Sequence, residues 1–156
     1  MTSWIRLTAP AAVVASMASP AVAVQYLSIA QAQKQAFPSA TSFAAIDGRA
    51  WKAQAGSQVL GVFVVDHVIG KHLYIDYAVA LDTGGRVQRV EILQYRESYG
   101  GEVKENSWLS QFVGKTSGSA LKVDRDIRNI SGATLSSNHV TEGVKRVLAA
   151  YGSRAR

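Results

Sequence analysis

Apolar and polar positions alternate strictly across the middle of the chain. Every second residue is large and apolar at Leu73, Ile75, Tyr77, Val79 and Leu81. This period of two is typical of a β-strand with one buried face. The turn-forming sequence Asp-Thr-Gly-Gly follows at residues 82–85, and residues 87–95 form a second run of strand type. The pattern therefore predicts a β-hairpin.

Three more elements are predicted before this hairpin. Residues 59–69 are the most β-branched run in the chain, and residues 42–47 form a weaker strand candidate that Asp47-Gly48 closes. Residues 27–37 are rich in Ala and Gln and predict a short helix. We expect that helix to end before Pro38, because the residue before a proline is disfavoured in the α region.

Two helices are predicted after the hairpin. The first has one apolar face, formed by Trp108, Leu109, Phe112 and Val113, and Gly114 is its natural end. The second has an amphipathic pattern of the helical period, formed by Val140, Val144, Val147, Leu148 and Tyr151. Glu142 stands four residues before Arg146, the favourable order for a surface ion pair. The fold class expected from this order is α+β, an antiparallel meander with flanking helices and a C-terminal amphipathic helix.

Residues 1–23 have the features of a secretory signal peptide. Arg6 gives a positive start, an apolar stretch rich in Ala and Ser follows, and Ala21-Val22-Ala23 is an A-x-A cleavage site. The alternative is an uncleaved membrane anchor, since no charge occurs between Leu7 and Gln33. The sequence thus predicts a periplasmic or other extracytoplasmic domain at residues 24–156.

Composition excludes several classes of function. The 156 residues are 47% hydrophobic and 18% charged, which indicates a globular chain. The absence of cysteine excludes disulfides, thiolate metal sites and cysteine nucleophiles. The three histidines, His67, His72 and His139, are too scattered to predict a metal site. No catalytic general base or nucleophile stands out either.

The net charge of +6 is spread along the chain without basic runs. This distribution argues against a nucleic-acid partner. It suits association with a membrane surface of anionic headgroups, or an acidic redox partner.

A loop of small residues precedes the last predicted helix. Residues 131–137 read Ser-Gly-Ala-Thr-Leu-Ser-Ser, in which Gly132 permits tight backbone geometry and Thr134, Ser136 and Ser137 are residue types that cap helices. A helix start presents unpaired N–H groups and the positive end of a dipole, so it attracts anions. From these residues alone, a capped helix and a phosphate site both stay open.

The sequence Ser131-Gly132-Ala133-Thr134 before a helix resembles the motif of the FMN-binding domain of extracytoplasmic electron carriers. These include flavin subunits of the sodium-pumping NADH:quinone oxidoreductase and of the related ferredoxin-linked complex. Three other segments resemble the family in the same order, namely YLSIAQAQKQAFP at 26–38, EILQYRESYGG at 91–101 and NSWLSQFVGK at 106–115. The resemblance therefore covers nearly all of residues 24–156.

The resemblance implies a covalent cofactor. In this family a flavin transferase joins the phosphate of FMN by a phosphoester bond to the last threonine of the motif, which is Thr134 here. The implied FMN-binding residues are Ser131, Gly132, Ala133, Thr134, Leu135 and Ser136 of the motif, with Glu97, Ser98, Tyr99 and Gly100 of the turn. Tyr99 is expected to border the flavin ring, Glu97 to bond a polar flavin atom, and Lys115 is a weaker candidate for neutralising the phosphate.

One position departs from the family pattern. The motif usually has an aspartate three residues before its serine, and Arg128 occupies that position here. The sequence leaves open whether Arg128 impairs flavin attachment or instead helps to hold the phosphate.

The function expected is an extracytoplasmic FMN electron carrier that exchanges electrons with a membrane or periplasmic partner. Two alternatives stay open. One is a secreted interaction or sensor module that has kept the fold and lost the flavin, which Arg128 motivates. The other is a flavin enzyme acting alone on a small substrate, for which the chain is short.

Overall fold

A six-stranded antiparallel sheet is the centre of the computed structural model, which describes residues 24–155. The order across the sheet is β1-β6-β5-β4-β3-β2. The strands are β1 Val24–Gln25, β2 Ser42–Asp47, β3 Ala50–Ala55, β4 Gln58–Ile69, β5 Tyr74–Asp82 and β6 Val87–Tyr95. From β2 to β6 each strand pairs with the next one in the chain, so the meander and the α+β class are confirmed.

Three α-helices flank the sheet among the described residues. They are α1 Ile29–Ala36, α2 Asn106–Leu109 and α3 Thr134–Tyr151. Short 3₁₀ turns occur at Gly101–Lys104, Ser110–Phe112 and Gly152–Ala155. Ser28 caps α1 by a capping box with Gln31, which explains why this helix begins one turn after β1.

The sheet is covered on both faces. On one face α3 and the irregular segment 103–133 enclose the larger core, which includes Ile75, Tyr77, Val79 and Leu81 of β5. On the other face α1 packs against small residues, among them Ala78 and Ala80. The expectation of a single buried face for β5 is therefore wrong, because the intervening alanines lie under α1. Leu73 precedes the strand and is exposed.

The helix predicted around Trp108 is much shorter than the pattern suggested. Its apolar residues Trp108, Leu109 and Phe112 are buried, as expected for core. However, the α-helix ends at Leu109, a 3₁₀ turn follows, and Val113 is exposed outside both. Strands β1 and β3 were not predicted. Trp51 of β3 is half-buried against Phe63, with ring centroids 6.2 Å apart.

Helix α3 approaches the sheet closely at Gly143. A β-carbon on Gly143 would lie 2.4 Å from the Tyr77 hydroxyl, so the helix can reach this depth only because no side chain is present. One turn further, Arg146 points to the sheet and bonds Asp66. The predicted surface pair of Arg146 with Glu142 does not form among residues 24–155, because the buried carboxylate is the stronger partner.

The predicted signal peptide or anchor at residues 1–23 lies outside the described residues. Within residues 24–155, no helix is both long and apolar enough to cross a bilayer.

Candidate functional site

The motif at residues 131–134 forms a tight turn that leads directly into α3. The Ala133 N–H donates to the Ile130 carbonyl at 2.9 Å, and Gly132 has φ of +80°. A glycine adopts this left-handed conformation at little cost, which explains its place in the turn. Because α3 begins at Thr134, the exposed threonine side chain stands on the first helical residue.

The expected hydroxyl cap is absent from α3. The N-cap residue is Ala133, and no side chain bonds the first turn. The prediction that Thr134, Ser136 or Ser137 caps the helix is therefore wrong. The Ser137 hydroxyl instead donates back to the Ala133 carbonyl at 3.1 Å, and Ser136 and Ser137 are both buried.

The start of α3 leaves three backbone donors available. No acceptor within residues 24–155 bonds the N–H groups of Thr134, Leu135 or Ser136. The Ser137 N–H is not available, since it donates to the Ala133 carbonyl at 3.0 Å. Together with the helix dipole, the three unpaired donors make this helix start suitable for an anion.

A cavity of about 430 Å³ opens beside this helix start. Its size falls within the range of about 300–1,000 Å³ that is usual for small-molecule sites. Residues 97–99 and residues 132–136 both line it, although residues 100–131 separate them in sequence. Its lining residues are Lys71, His72, Glu97, Ser98, Tyr99, Gly132, Ala133, Thr134, Leu135 and Ser136.

Two of the sequence-predicted site residues do not line the cavity. Ser131 is exposed in the turn, and Gly100 packs beneath the motif. Gly100 has φ of +77°, and a β-carbon there would lie 2.6 Å from the Ala133 β-carbon. Gly100 therefore supports the shape of the motif loop without contributing to the cavity wall.

Glu97 fixes the loop between β4 and β5. One of its carboxylate oxygens accepts the backbone N–H of Leu73 at 2.8 Å and also that of His72. Burial acts to raise the pKa of Glu97, but these amide donors hold the pKa below its usual value. One oxygen of the Glu97 carboxylate, which was expected to bond a polar flavin atom, is thus occupied by the loop that places Lys71 and His72 at the cavity.

The same loop is held from the side of α3. The Nδ1 atom of His139 lies 2.6 Å from the Ile69 carbonyl and 3.1 Å from the Gly70 carbonyl. Because carbonyl oxygens only accept hydrogen bonds, Nδ1 carries the proton that is shared here. The loop that borders the cavity is therefore held by two side chains, Glu97 from the segment after β6 and His139 from α3.

Tyr99 stands at the cavity rim with 83% of its surface exposed. The Tyr95 hydroxyl donates to its backbone carbonyl, which fixes the turn while leaving the Tyr99 ring free. Burial raises the pKa of Tyr95, with a smaller opposing effect from Ser136. Leu135 is also half-exposed at the rim, so the two side chains offer an apolar surface beside the polar helix start.

Sequence reasoning missed Lys71 and His72 as site residues. The break at Gly70 marked the loop, but no sequence signal placed the loop beside α3. Lys115, the weaker phosphate candidate, lies elsewhere and pairs with Asp126 at 3.0 Å. Arg128 does not line the cavity either. Its guanidinium donates to the Ser107 carbonyl at 3.4 Å, so the possibility that it holds the phosphate receives no support.

Within residues 24–155, no three His, Cys, Asp or Glu side chains are grouped so that they could hold a metal ion. His67 and His72 therefore do not form part of a metal cluster within the described chain.

Comparison with known proteins identifies the class. The family model described as the FMN-binding domain matches residues 70–149, which span β5, β6, the cavity and most of α3. No curated protein matches the chain. The match covers more than half of the sequence, so the protein belongs to the FMN-binding domain family.

Proposed function

We propose that this protein is an extracytoplasmic electron carrier whose FMN is esterified to the hydroxyl of Thr134. The observation that carries the proposal is the position of Thr134. It is an exposed hydroxyl on the first residue of an uncapped helix, at the wall of a cavity of about 430 Å³. Thr134 satisfies the two requirements of attachment, since an external enzyme can reach it and a ligand can lie beside it.

The residues around Thr134 suit a phosphodiester. The free N–H groups of Leu135 and Ser136 can donate to its oxygens, and the helix dipole favours its negative charge by roughly 0.3–1 kcal/mol. Lys71 lines the same cavity and adds a positive charge. Forming the ester removes hydrogen from the Thr134 hydroxyl and a hydroxide equivalent from the FMN phosphate, a net loss of one water.

The cavity rim suits an aromatic ring. Tyr99 and Leu135 present exposed apolar surface there, which a planar ligand would cover. Glu97 and His139 hold the bordering loop in place, so the pocket is pre-organised and does not have to be ordered on binding. Once attached, FMN supplies the redox chemistry itself.

Mass spectrometry of the full chain, co-produced with a flavin transferase, tests the attachment. We expect wild-type protein to gain the mass of FMN less one water, and fragmentation of the tryptic peptide 129–145 to place it on Thr134. Thr134→Ala should lack the adduct. Thr83→Ala, an exposed threonine in the β5–β6 turn, is the matched control and should retain it. Wild-type protein without the adduct would overturn the proposal.

A second candidate function is a secreted module that has kept the fold and lost the flavin. Arg128 favours it, because it replaces the aspartate that the family motif usually has and makes no contact with the cavity. The same experiment separates the two. Colourless wild-type protein together with a yellow Arg128→Asp variant would support this second function and assign the loss to that position.

The proposed location has its own test. The A-x-A site at Ala21–Ala23 supports export and cleavage. N-terminal sequencing of protein recovered from the periplasm should begin at Val24. A full-length chain retained in the membrane fraction would instead indicate an anchor, and both outcomes keep the domain outside the cytoplasm. Recovery from the cytosol would contradict the proposal.

The partner follows from location and charge. We propose a membrane or periplasmic redox protein with an acidic surface, because the domain is basic without concentrated basic runs. Electron transfer to such a partner should slow as salt concentration rises, since screening weakens exposed charge pairs.

A further inference from the structure

A second open cavity of about 560 Å³ is lined by residues that include Ile69 and Tyr74, whereas Lys71 and His72 of the loop between them line the cavity at the start of α3. We name this second cavity the arginine cleft. The residues that define it here are Arg49, Asp66, His67, Ile69, Tyr74 and Arg146. None of these residues lines the cavity at the start of α3, so the arginine cleft is a separate feature of the molecule.

Asp66 holds two guanidinium groups in the arginine cleft. One carboxylate oxygen accepts from Arg49 at 3.1 Å, and the other accepts from Arg146 at 2.7 and 3.1 Å and from Tyr77 at 3.1 Å. Asp66 is only 6% exposed. Burial opposes its charge, yet the donors keep the pKa of Asp66 below its usual value. Two arginines are thus fixed side by side on one buried anion.

Each guanidinium keeps donors to spare. The Nε of Arg49 donates to the Tyr151 hydroxyl, and one terminal nitrogen of Arg49 donates to Asp66. The Nε of Arg146 donates to Asp66, and one terminal nitrogen of Arg146 donates to both Asp66 and the His67 carbonyl. Within residues 24–155, the other terminal nitrogen of each has no acceptor. Both arginine side chains are 52% exposed, and both residues line the open cleft. A charged N–H donor of this kind pairs well with a carboxylate oxygen.

An apolar wall stands beside the arginines. Ile69 is 50% exposed and Tyr74 is 51% exposed, although both are large apolar or aromatic residues. The His67 ring packs edge-on against Tyr74 with centroids 5.0 Å apart, which holds the tyrosine ring in place. The clamp of His139 on the Ile69 carbonyl fixes the other side of the wall.

From this juxtaposition we propose that the arginine cleft binds a small carboxylate with an aromatic body. The carboxylate would take the spare donors of Arg49 and Arg146, and the aromatic body would cover Ile69 and Tyr74. The arginines exceed Asp66 by one positive charge, while Glu142 at the rim opposes an anion. The proposal does not depend on the flavin, because the two cavities share no lining residue.

Benzoate is the probe that tests this site, and its neutral analogue benzyl alcohol is the ligand control. We expect chemical shift perturbation to report saturable benzoate binding, with a Kd on the order of 1 mM for so small a fragment. The perturbed signals should come from the arginine cleft. Benzyl alcohol should bind at least about tenfold more weakly, because it cannot accept paired charged hydrogen bonds.

Two substitutions should change benzoate affinity in opposite directions. Arg146→Lys keeps a charge beside Asp66 but loses the spare terminal nitrogen, so affinity should fall at least about fivefold. Glu142→Gln removes a negative charge from the lining of the arginine cleft that would repel benzoate, so affinity should rise about twofold or more. Lys145→Gln, an exposed lysine one residue earlier on α3, removes one positive charge outside the cleft and should change affinity little.

A further variant guards against loss of folding in Arg146→Lys. Tyr74→Ser leaves every contact of Asp66 in place and should still weaken benzoate binding. Absence of saturable binding in folded wild-type protein would overturn the proposal. If benzyl alcohol bound as tightly as benzoate, the arginines would have no role in binding. If inorganic phosphate bound as tightly as benzoate, contact of the aromatic ring with Ile69 and Tyr74 would contribute nothing. Thr134→Ala should bind benzoate as wild type does, so failure of flavin attachment is distinguishable from failure here.

Discussion

A β-carbon built on Gly100 would lie 2.6 Å from the β-carbon of Ala133. Gly100 follows the turn after β6, and Ala133 is the N-cap residue of α3. The backbone of Gly100 therefore packs closely against Ala133, and this packing joins the two segments that the sequence predicted to form one site. It also defines the separation between them, because any larger residue at Gly100 would push the motif loop outwards.

Gly100→Ala should destabilise the protein and reduce flavin attachment. The substitution adds a clash with Ala133 at a left-handed φ of +77°, with a cost of about 1–3 kcal/mol. Urea unfolding measures the free energy, and the mass adduct measures attachment. Gly101→Ala is the matched control. Its β-carbon would meet only the flexible Lys104 side chain at 3.5 Å, so both readouts should stay close to wild type.

Glu97→Ala should loosen the loop that borders the cavity at the start of α3. It removes the acceptor of the His72 and Leu73 backbone N–H groups, which would exchange with solvent faster. Hydrogen exchange measured by NMR checks this residue by residue. Glu97→Gln retains a carbonyl oxygen and should protect both amides more than Glu97→Ala does. Unchanged exchange in Glu97→Ala would show that the loop is held by other contacts.

Asp66→Asn should destabilise the fold by about 2–4 kcal/mol. The substitution leaves two arginines close together without the buried negative charge that binds them. Asp76→Asn is a suitable comparison, because Asp76 pairs with Arg96 in a more exposed position with 30% of its side chain accessible. That variant should cost less than about 1 kcal/mol. A similar loss of unfolding free energy in both variants would contradict the idea that burial makes Asp66 the more important partner.

Acid should destabilise the protein below about pH 4. Asp66 and Asp126 both have pKa values lower in the folded chain than their ordinary 3.8. The N–H of Lys122 is the main cause for Asp126, whose pKa falls to about 2. The unfolded chain then binds more protons, so the stabilisation is complete above the unfolded pKa and is lost as pH falls through the folded values.

The free energy of unfolding should therefore change little between pH 7 and about pH 5 and then decrease steadily towards pH 2. Urea titrations at a series of pH values measure it. Asp126→Asn should flatten the lower part of this profile, since the variant lacks the group that titrates near pH 2. A profile that keeps its wild-type slope in this variant would contradict the assignment to Asp126.

Several elements could be predicted because their burial is local and periodic. The β5–β6 hairpin and α3 have large apolar residues at fixed intervals, and the structure places both as the pattern indicated. Strand β3 was missed because its fully buried residues, Ala50 and Ala53, are small and three apart, so no period of two appears. The short α2 was overestimated, since Val113 fits the helical pattern but lies outside the helix.

By itself, the sequence determined the α+β class, the order of the main elements and the motif that identifies the family, because these depend on neighbours along the chain. Only the tertiary structure decided that Lys71 and His72 border the cavity, that Arg128 does not line it, and that Arg146 bonds Asp66 instead of Glu142. These outcomes depend on which residues long-range sheet pairing and the packing of α3 bring together. Spacing along the chain does not encode which distant residues become neighbours in the fold. Arg146 therefore bonds Asp66, because folding places this buried carboxylate beside it.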